Sequence, residues 1–114
     1  MPFVLLKTNV TVSDQQATAL KQQLRQAIAL IPNVSEQSLL FGIEDTHRFY
    51  LKGKEQAVAY VEISVFNNPQ HQGYAKLTSV ISQFIGQILD IPNHHIYLKY
   101  NDISAWGAGG YYFE

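Results

Sequence analysis

Apolar residues along this chain fall alternately into short runs and helical stripes. Residues 2–8 make a short, partly β-branched apolar run, which predicts a buried strand. Ser13 then fits a helix N-cap, with Asp14 placed in the first turn to complement the dipole. Ala17, Leu20, Leu24, Ala27, Ile28 and Ile31 follow at helical spacing among Gln, Lys and Arg, so an amphipathic helix is expected up to Pro32-Asn33. Strands are expected at Leu39–Ile43, at Arg48–Leu51 and at Ala57–Phe66, the last two separated by the turn signal Lys52-Gly53-Lys54. Asn68-Pro69 reads as the N-cap and first residue of a second helix. Tyr74, Leu77, Ile81, Phe84, Ile85 and Ile88 stripe that helix, and Pro92 closes it. Ile96–Asn101 predicts a further strand, and a Gly-rich tail reads as a flexible turn before a terminal Tyr111-Tyr112-Phe113 strand.

The pattern repeats. Ile31-Pro32-Asn33 recurs as Ile91-Pro92-Asn93, and at the same offset Leu20 matches Val80, Leu24 matches Phe84 and Ile28 matches Ile88. Strand–helix–strand therefore occurs twice, in pseudo-repeat halves of about 1–60 and 61–114 within one domain, 1–114. Two tandem β-α-β units predict an α+β fold: a four-stranded mixed sheet with both helices on one face. In the long strand Val58, Tyr60 and Phe66 alternate with Ala57, Ala59, Val61, Ile63 and Val65, so both sheet faces read as largely apolar. Two helices cover only one face. The bare one predicts self-association.

Composition narrows the chemistry more than it directs it. A chain that is 46% apolar can bury a core, and a formal net charge of −1 gives no reason to expect nucleic acid or an anionic membrane surface. With no cysteine there is no disulfide framework, thiol nucleophile, redox pair or thiolate zinc site. No run approaches a membrane span and the N-terminus has no basic leader, so a cytoplasmic protein is expected. His47, His71, His94 and His95 lack ligand spacing, and His94-His95 would point to opposite faces of a strand. Neither a metal nor another cofactor is expected. The carboxylates form no obvious pair, and Gly107-Ala108-Gly109-Gly110 does not sit between strand and helix as a phosphate cradle requires.

Pro2 stands apart. An initiator Met before a small residue is removed in processing, which would leave Pro2 as a secondary amine at the chain start. An α-amino group ordinarily titrates near 7.7–8. Beside Phe3 and Val4 its charged form would be poorly solvated, which lowers the pKa. A neutral amine is a base suited to moving protons on carbon next to a carbonyl.

The M-P start with Thr8-Asn9-Val10, the Tyr74-Ala75-Lys76-Leu77 helix opening, Ile91-Pro92 followed by Ile96–Asp102, and the Trp106-Gly107…Phe113 tail together carry a resemblance. The chain resembles the macrophage migration inhibitory factor family of the tautomerase superfamily along nearly its whole length. The resemblance implies a homotrimer whose sheets surround a central channel, with a site between subunits. It implies cofactor-independent keto–enol tautomerisation of phenylpyruvate-like 2-keto acids, or of dopachrome-like compounds, with Pro2 as the base. Ser64 and Val65 fall on a strand segment whose backbone amide holds the substrate. Tyr97 falls on a tyrosine contributed by a neighbouring subunit, and Trp106 and Phe113 on the apolar wall of the pocket.

Two departures accompany the resemblance. Where the family has a carboxylate-binding lysine before the proline after the first helix, this chain has Ile31, and no lysine lies between Lys21 and Lys52. Lys99 shares a strand face with Tyr97 and is the expected replacement. The family's cysteine-dependent activity cannot occur, since that segment reads Ala57-Val58-Ala59-Tyr60. Rival readings are a signalling or protein-binding role with an incidental site, its receptor unknown, and a small-ligand sensor. Dehalogenation or decarboxylation by the N-terminal proline usually needs a nearby arginine, and only Arg25 and Arg48 are present.

Overall fold

The computed structural model describes residues 1–114. Strand β1 (Pro2–Thr8) leads to helix α1 (Asp14–Ala27) and strand β2 (Leu40–Glu44); strand β3 (Ala59–Phe66) leads to helix α2 (Tyr74–Leu89) and strand β4 (Ile96–Ile103). A small hairpin of β5 (Trp106–Ala108) and β6 (Tyr111–Phe113) follows. The main sheet has the order β2-β1-β3-β4. Within each β-α-β unit the strands pair in parallel, and the units join through antiparallel β1 and β3. The expected four-stranded mixed sheet is therefore the observed one.

The repeat places equivalent residues equivalently. Ser13 caps α1 in a reciprocal box with Gln16, satisfying donors at the helix start. A short 3₁₀ turn, Ile28–Leu30, extends α1 so that Ile31 still reaches the core at 1% exposure. Ile91 is buried in the same way after α2. Leu20, Leu24 and Ile28 pack with Leu77, Ile81 and Ile85 over Val4, Leu6, Val61 and Ile63. Thr8, fully buried, donates its hydroxyl hydrogen to the Val58 carbonyl at 2.7 Å, so its burial leaves no polar group unmatched.

Several local expectations are corrected. Helix α2 starts at Tyr74 rather than at Asn68-Pro69. The Asn68 carbonyl instead accepts from the His71 N–H at 3.0 Å, a β-turn in which Pro69 takes the second position, where its fixed φ fits as well as in a first helical turn. Gly73, at φ +84°, enters the helix so close to α1 that a Cβ there would lie 2.2 Å from the Leu30 carbonyl oxygen. Arg48–Leu51 makes no strand. Leu51 and Lys54 form a single bridge around Lys52-Gly53, whose φ values of 56° and 75° suit a tight turn with no partner beyond it. Regular structure in β3 begins at Ala59, and β4 runs on to Ile103. The glycine tail is a tight hairpin turning at Gly109-Gly110, at φ 60° and 84°. His94 and His95 sit in a 3₁₀ turn, Asn93–His95, with rings edge to face at 4.4 Å.

The uncovered sheet face is also more polar than its pattern promised. Alternation puts Tyr60, Glu62, Ser64 and Phe66 of β3 on it, because Ala59, Val61, Ile63 and Val65 take the helix side. A charged band crosses its middle: Lys7 pairs with Glu62 at 3.1 Å, and Lys99 lies opposite Glu62 in register. Phe3 and Leu40 lie to one side of that band and Tyr60 and Tyr97 to the other.

Candidate active site

Pro2 opens β1 as a buried residue, directly across from Val65, which in turn lies across from Asp102. This row lies on the helix side of the sheet. The Met1 α-amino group is held below its usual range by burial. Pro2, one residue further in, is subject to the same physical cause.

Hydrogen-bond alternation decides which backbone donor faces the proline. The Phe66 N–H donates to the Met1 carbonyl at 3.3 Å, while the Asn67 N–H donates to Ile103 at 3.0 Å. Even-numbered β3 amides thus turn towards β1 and odd-numbered ones towards β4. Val65, whose amide was the expected donor, turns it towards β4. Phe66 is the residue whose N–H points to the atoms preceding the Pro2 nitrogen. Sequence reading counted Phe66 only among the apolar residues of its strand. The signal that identifies it is the pairing register, which a single sequence does not print.

Phe66 also anchors the aromatic wall. Its ring meets Phe113 edge to face at 6.2 Å, and Phe113 pairs with Trp106 across the terminal hairpin. Ser64 lies on the uncovered face across from Phe3. Pro2, Ser64, Val65, Trp106 and Phe113 thus gather at one end of the sheet. Tyr97 and Lys99 do not join them. Tyr97 lies level with Tyr60 and Lys7, five residues along β1 from Pro2 and so about 17 Å away along the strand. There it lines a shallow aromatic groove with Phe49, Tyr50, Leu51, Val58 and Tyr60. The Lys99 ammonium sits 5.9 Å above the Tyr60 ring. The neighbouring Tyr60 and the Glu62 charge raise its pKa above the usual lysine value.

The Ile31 side chain points into the core, so no cation reaches the proline from that position. The other polar cluster at this end involves Asp102. Its Oδ1 accepts from the Tyr74 hydroxyl at 2.7 Å and its Oδ2 contacts His71 Nε2 at 2.5 Å. His71 stacks on Tyr74, which stacks on Tyr100 at 4.2 Å. Burial and the bond to Asp102 push the Tyr74 phenol up to about 12, and burial raises Tyr100. No three His, Asp or Glu side chains converge as metal ligands, and no helix is long and apolar enough to cross a membrane.

A duplicated β-α-β sheet with a proline buried at its first strand start defines a tautomerase-type architecture. The family model described as macrophage migration inhibitory factor matches residues 1–111, and the chain belongs to that family. No curated protein matches the sequence. Among solved structures, MIF2 of Leishmania major superposes with a TM-score of 0.90 at 22% identity, covering 99% of this chain and 97% of that one. A homologue from Prochlorococcus marinus gives 0.87 at 20% identity, covering 98% and 99%. N1, a member of the cis-3-chloroacrylic acid dehalogenase family, gives 0.82 at 13% identity, covering 98% and 83%.

Proposed function

We propose that this chain is a cofactor-independent keto–enol tautomerase for phenylpyruvate-like 2-keto acids, with Pro2 as its base once Met1 is removed. The observation that carries this reading is the position of Pro2, buried at a strand start with the Phe66 N–H aimed just ahead of its nitrogen. Removing Met1 leaves a secondary amine and frees that N–H together. The amine, poorly solvated and therefore neutral near pH 7, takes a proton from the carbon beside the carbonyl and returns it to oxygen. Charge develops on the substrate oxygens as the proton leaves, and the Phe66 amide stabilises it at no reorganisation cost. Phe66, Trp106 and Phe113 pack on the aromatic ring and exclude water. A structural neighbour inactivated by 2-oxo-3-pentynoate, itself a 2-keto acid, supports the substrate class.

Tyr97 and Lys99 join this site from a second copy of the chain, in a homotrimer. The register supports that: Tyr97 lies about 17 Å along the strand from its own proline, and Lys99, about 10 Å along, is on the opposite sheet face from it. A fused relative solved as an asymmetric trimer supports the assembly. Lys99 takes the substrate carboxylate in place of the cation missing at Ile31.

The dehalogenation reading is weaker. Arg25 is engaged with Glu36 at 3.2 Å on the helix exterior, and Arg48 lines a polar cleft with Asn9 and Glu55, near the far end of β1 from Pro2. The absence of a cation at Ile31 favours one rival, a protein-binding role with a weak residual site. A phenylpyruvate tautomerase assay on protein of verified intact mass decides between them. Turnover by the chain starting at Pro2, a fall of 100-fold or more in Pro2→Gly, and a raised KM in Lys99→Ala are expected. Full turnover with Met1 retained, or by Pro2→Gly, overturns the mechanism; an unchanged KM in Lys99→Ala removes Lys99 from it.

A further inference from the structure

Of the groups outside the proposed machinery, the His71–Asp102–Tyr74 cluster is the most completely built. His71 has φ +58°, a left-handed backbone that histidine rarely adopts, and its side chain is 62% exposed. An exposed imidazole in an unfavourable backbone would ordinarily be mobile. Here it is fixed on both faces of its chemistry: the ring lies flat on Tyr74 at 5.5 Å with a 14° tilt, and Nε2 is on Asp102. Both Asp102 oxygens are thereby engaged. The ring's Nδ1 makes no hydrogen bond, so one donor-capable edge is held in place and free. Backbone strain retained by surrounding contacts marks a position worth testing for function.

The location gives that edge a use. Asp102 is in the same cross-strand row as Val65 and Pro2, two strand spacings from the proline, or about 10 Å. A 2-keto acid held at Pro2 with its carboxylate turned towards β4 would lie along this row, on the side where the Asp102 side chain holds His71. The loop bearing His71 also packs against the chain at Ile31, since Gly73 abuts the Leu30 carbonyl. The loop that carries His71 thus passes beside Leu30-Ile31, where family members have their lysine.

We propose that His71, oriented by Asp102 and Tyr74, binds the carboxylate of the 2-keto acid from the same subunit that supplies Pro2, opposite Lys99. The Asp102 charge does not cancel this. A carboxylate on the Nδ1 edge is at about half the distance from imidazolium that it is from Asp102, and Coulomb energy falls inversely with distance. The titratable groups facing His71 are the Asp102 carboxylate from β4 and, from α2, the Tyr74 phenol, which is neutral.

The proposal rests on the tautomerase reading, so its test must survive that reading's failure. Phenylglyoxylate is a 2-keto acid with no hydrogen on the carbons beside its keto group, so it reports binding without turnover. At about pH 6, a 5- to 10-fold weaker Kd for phenylglyoxylate is expected in His71→Gln, with His71→Lys restoring binding. Its methyl ester should bind both the wild type and His71→Gln alike. The His71 ring nitrogen resonances of ¹⁵N-labelled protein should shift when the acid, but not the ester, is added. If acid and ester lose affinity equally in His71→Gln, or the acid binds with wild-type Kd and no ring shift, the proposal is overturned. If the acid binds through His71 but phenylpyruvate is not turned over, only the tautomerase reading fails.

Discussion

Restoring the family's lysine by Ile31→Lys should damage the protein rather than improve its site. Ile31 is 1% exposed and belongs to the main apolar cluster. Removing a fully buried isoleucine side chain forfeits about 1.5–3 kcal/mol of transfer free energy. The lysine stem recovers part of that, but its amine must either be buried neutral, with a strongly lowered pKa, or displace neighbours to reach water. A net loss of about 3–4 kcal/mol follows, comparable to the upper range for large-to-small core substitutions. For a chain of 114 residues the unfolding entropy is about 0.24 kcal/mol/K, so Tm should fall by about 12–17 °C. Thermal melts followed by circular dichroism, at matched concentration because assembly shifts Tm, measure this beside Ile31→Met, expected within about 1.5 kcal/mol of wild type. KM for phenylpyruvate, taken well below the melt, should not improve. A lysine variant that melts within 3 °C of wild type and binds phenylpyruvate more tightly would refute the placement of Ile31 in the core and the need for another cation.

Two further outcomes follow from the loop before α2. Tyr74 has a folded pKa of about 12 against an ordinary value near 10, so its neutral form is favoured by folding; the stability it contributes is fully present below pH 10 and is lost as pH rises from 10 to about 12. Tyr74→Phe should lower stability at neutral pH by about 1–2 kcal/mol through the lost bond to Asp102, yet show a shallower loss of urea midpoint between pH 10 and 12; parallel curves would contradict the assignment. Gly73→Ala should cost about 2–4 kcal/mol, since φ is +84° and the new methyl would meet the Leu30 carbonyl at 2.2 Å; a urea midpoint equal to wild type would show that α1 and α2 are not in the contact described.

The parts of the fold that were legible in the sequence are those where one residue type serves one local purpose. Ser13 with Gln16 caps α1, and the apolar stripes face the sheet. Asn68-Pro69 was misread because proline's fixed φ serves a turn and a helix start equally, and only the packing of Gly73 on Leu30 shows which was needed. The site was legible in composition and not in geometry. That Phe66, rather than Val65, turns its amide to the Met1 carbonyl ahead of Pro2 depends on antiparallel register, which is settled between strands over fifty residues apart. His71 was given no role beyond lacking ligand spacing, because its partner Asp102 lies on another element and nothing in their spacing connects them.

The repeat that revealed the fold also explains the departure in the site. Ile31 and Ile91 each follow a helix by a few residues, precede a proline and turn into the core. In both halves the position closes the base of the helix–sheet layer, and its requirement is apolar volume. A lysine at position 31 would have to leave that layer to reach substrate, and this chain instead keeps the symmetric isoleucine. With that position given to packing, the proposed carboxylate-binding cation comes from elements the repeat does not constrain. The loop between β3 and α2 is such an element: its counterpart after β1 carries Ser13 as a helix cap, whereas this one has Asn67, His71 and Gly73 at positive φ and holds an imidazole over Asp102. The two halves thus share their packing residues and differ in the loop that carries the proposed carboxylate site.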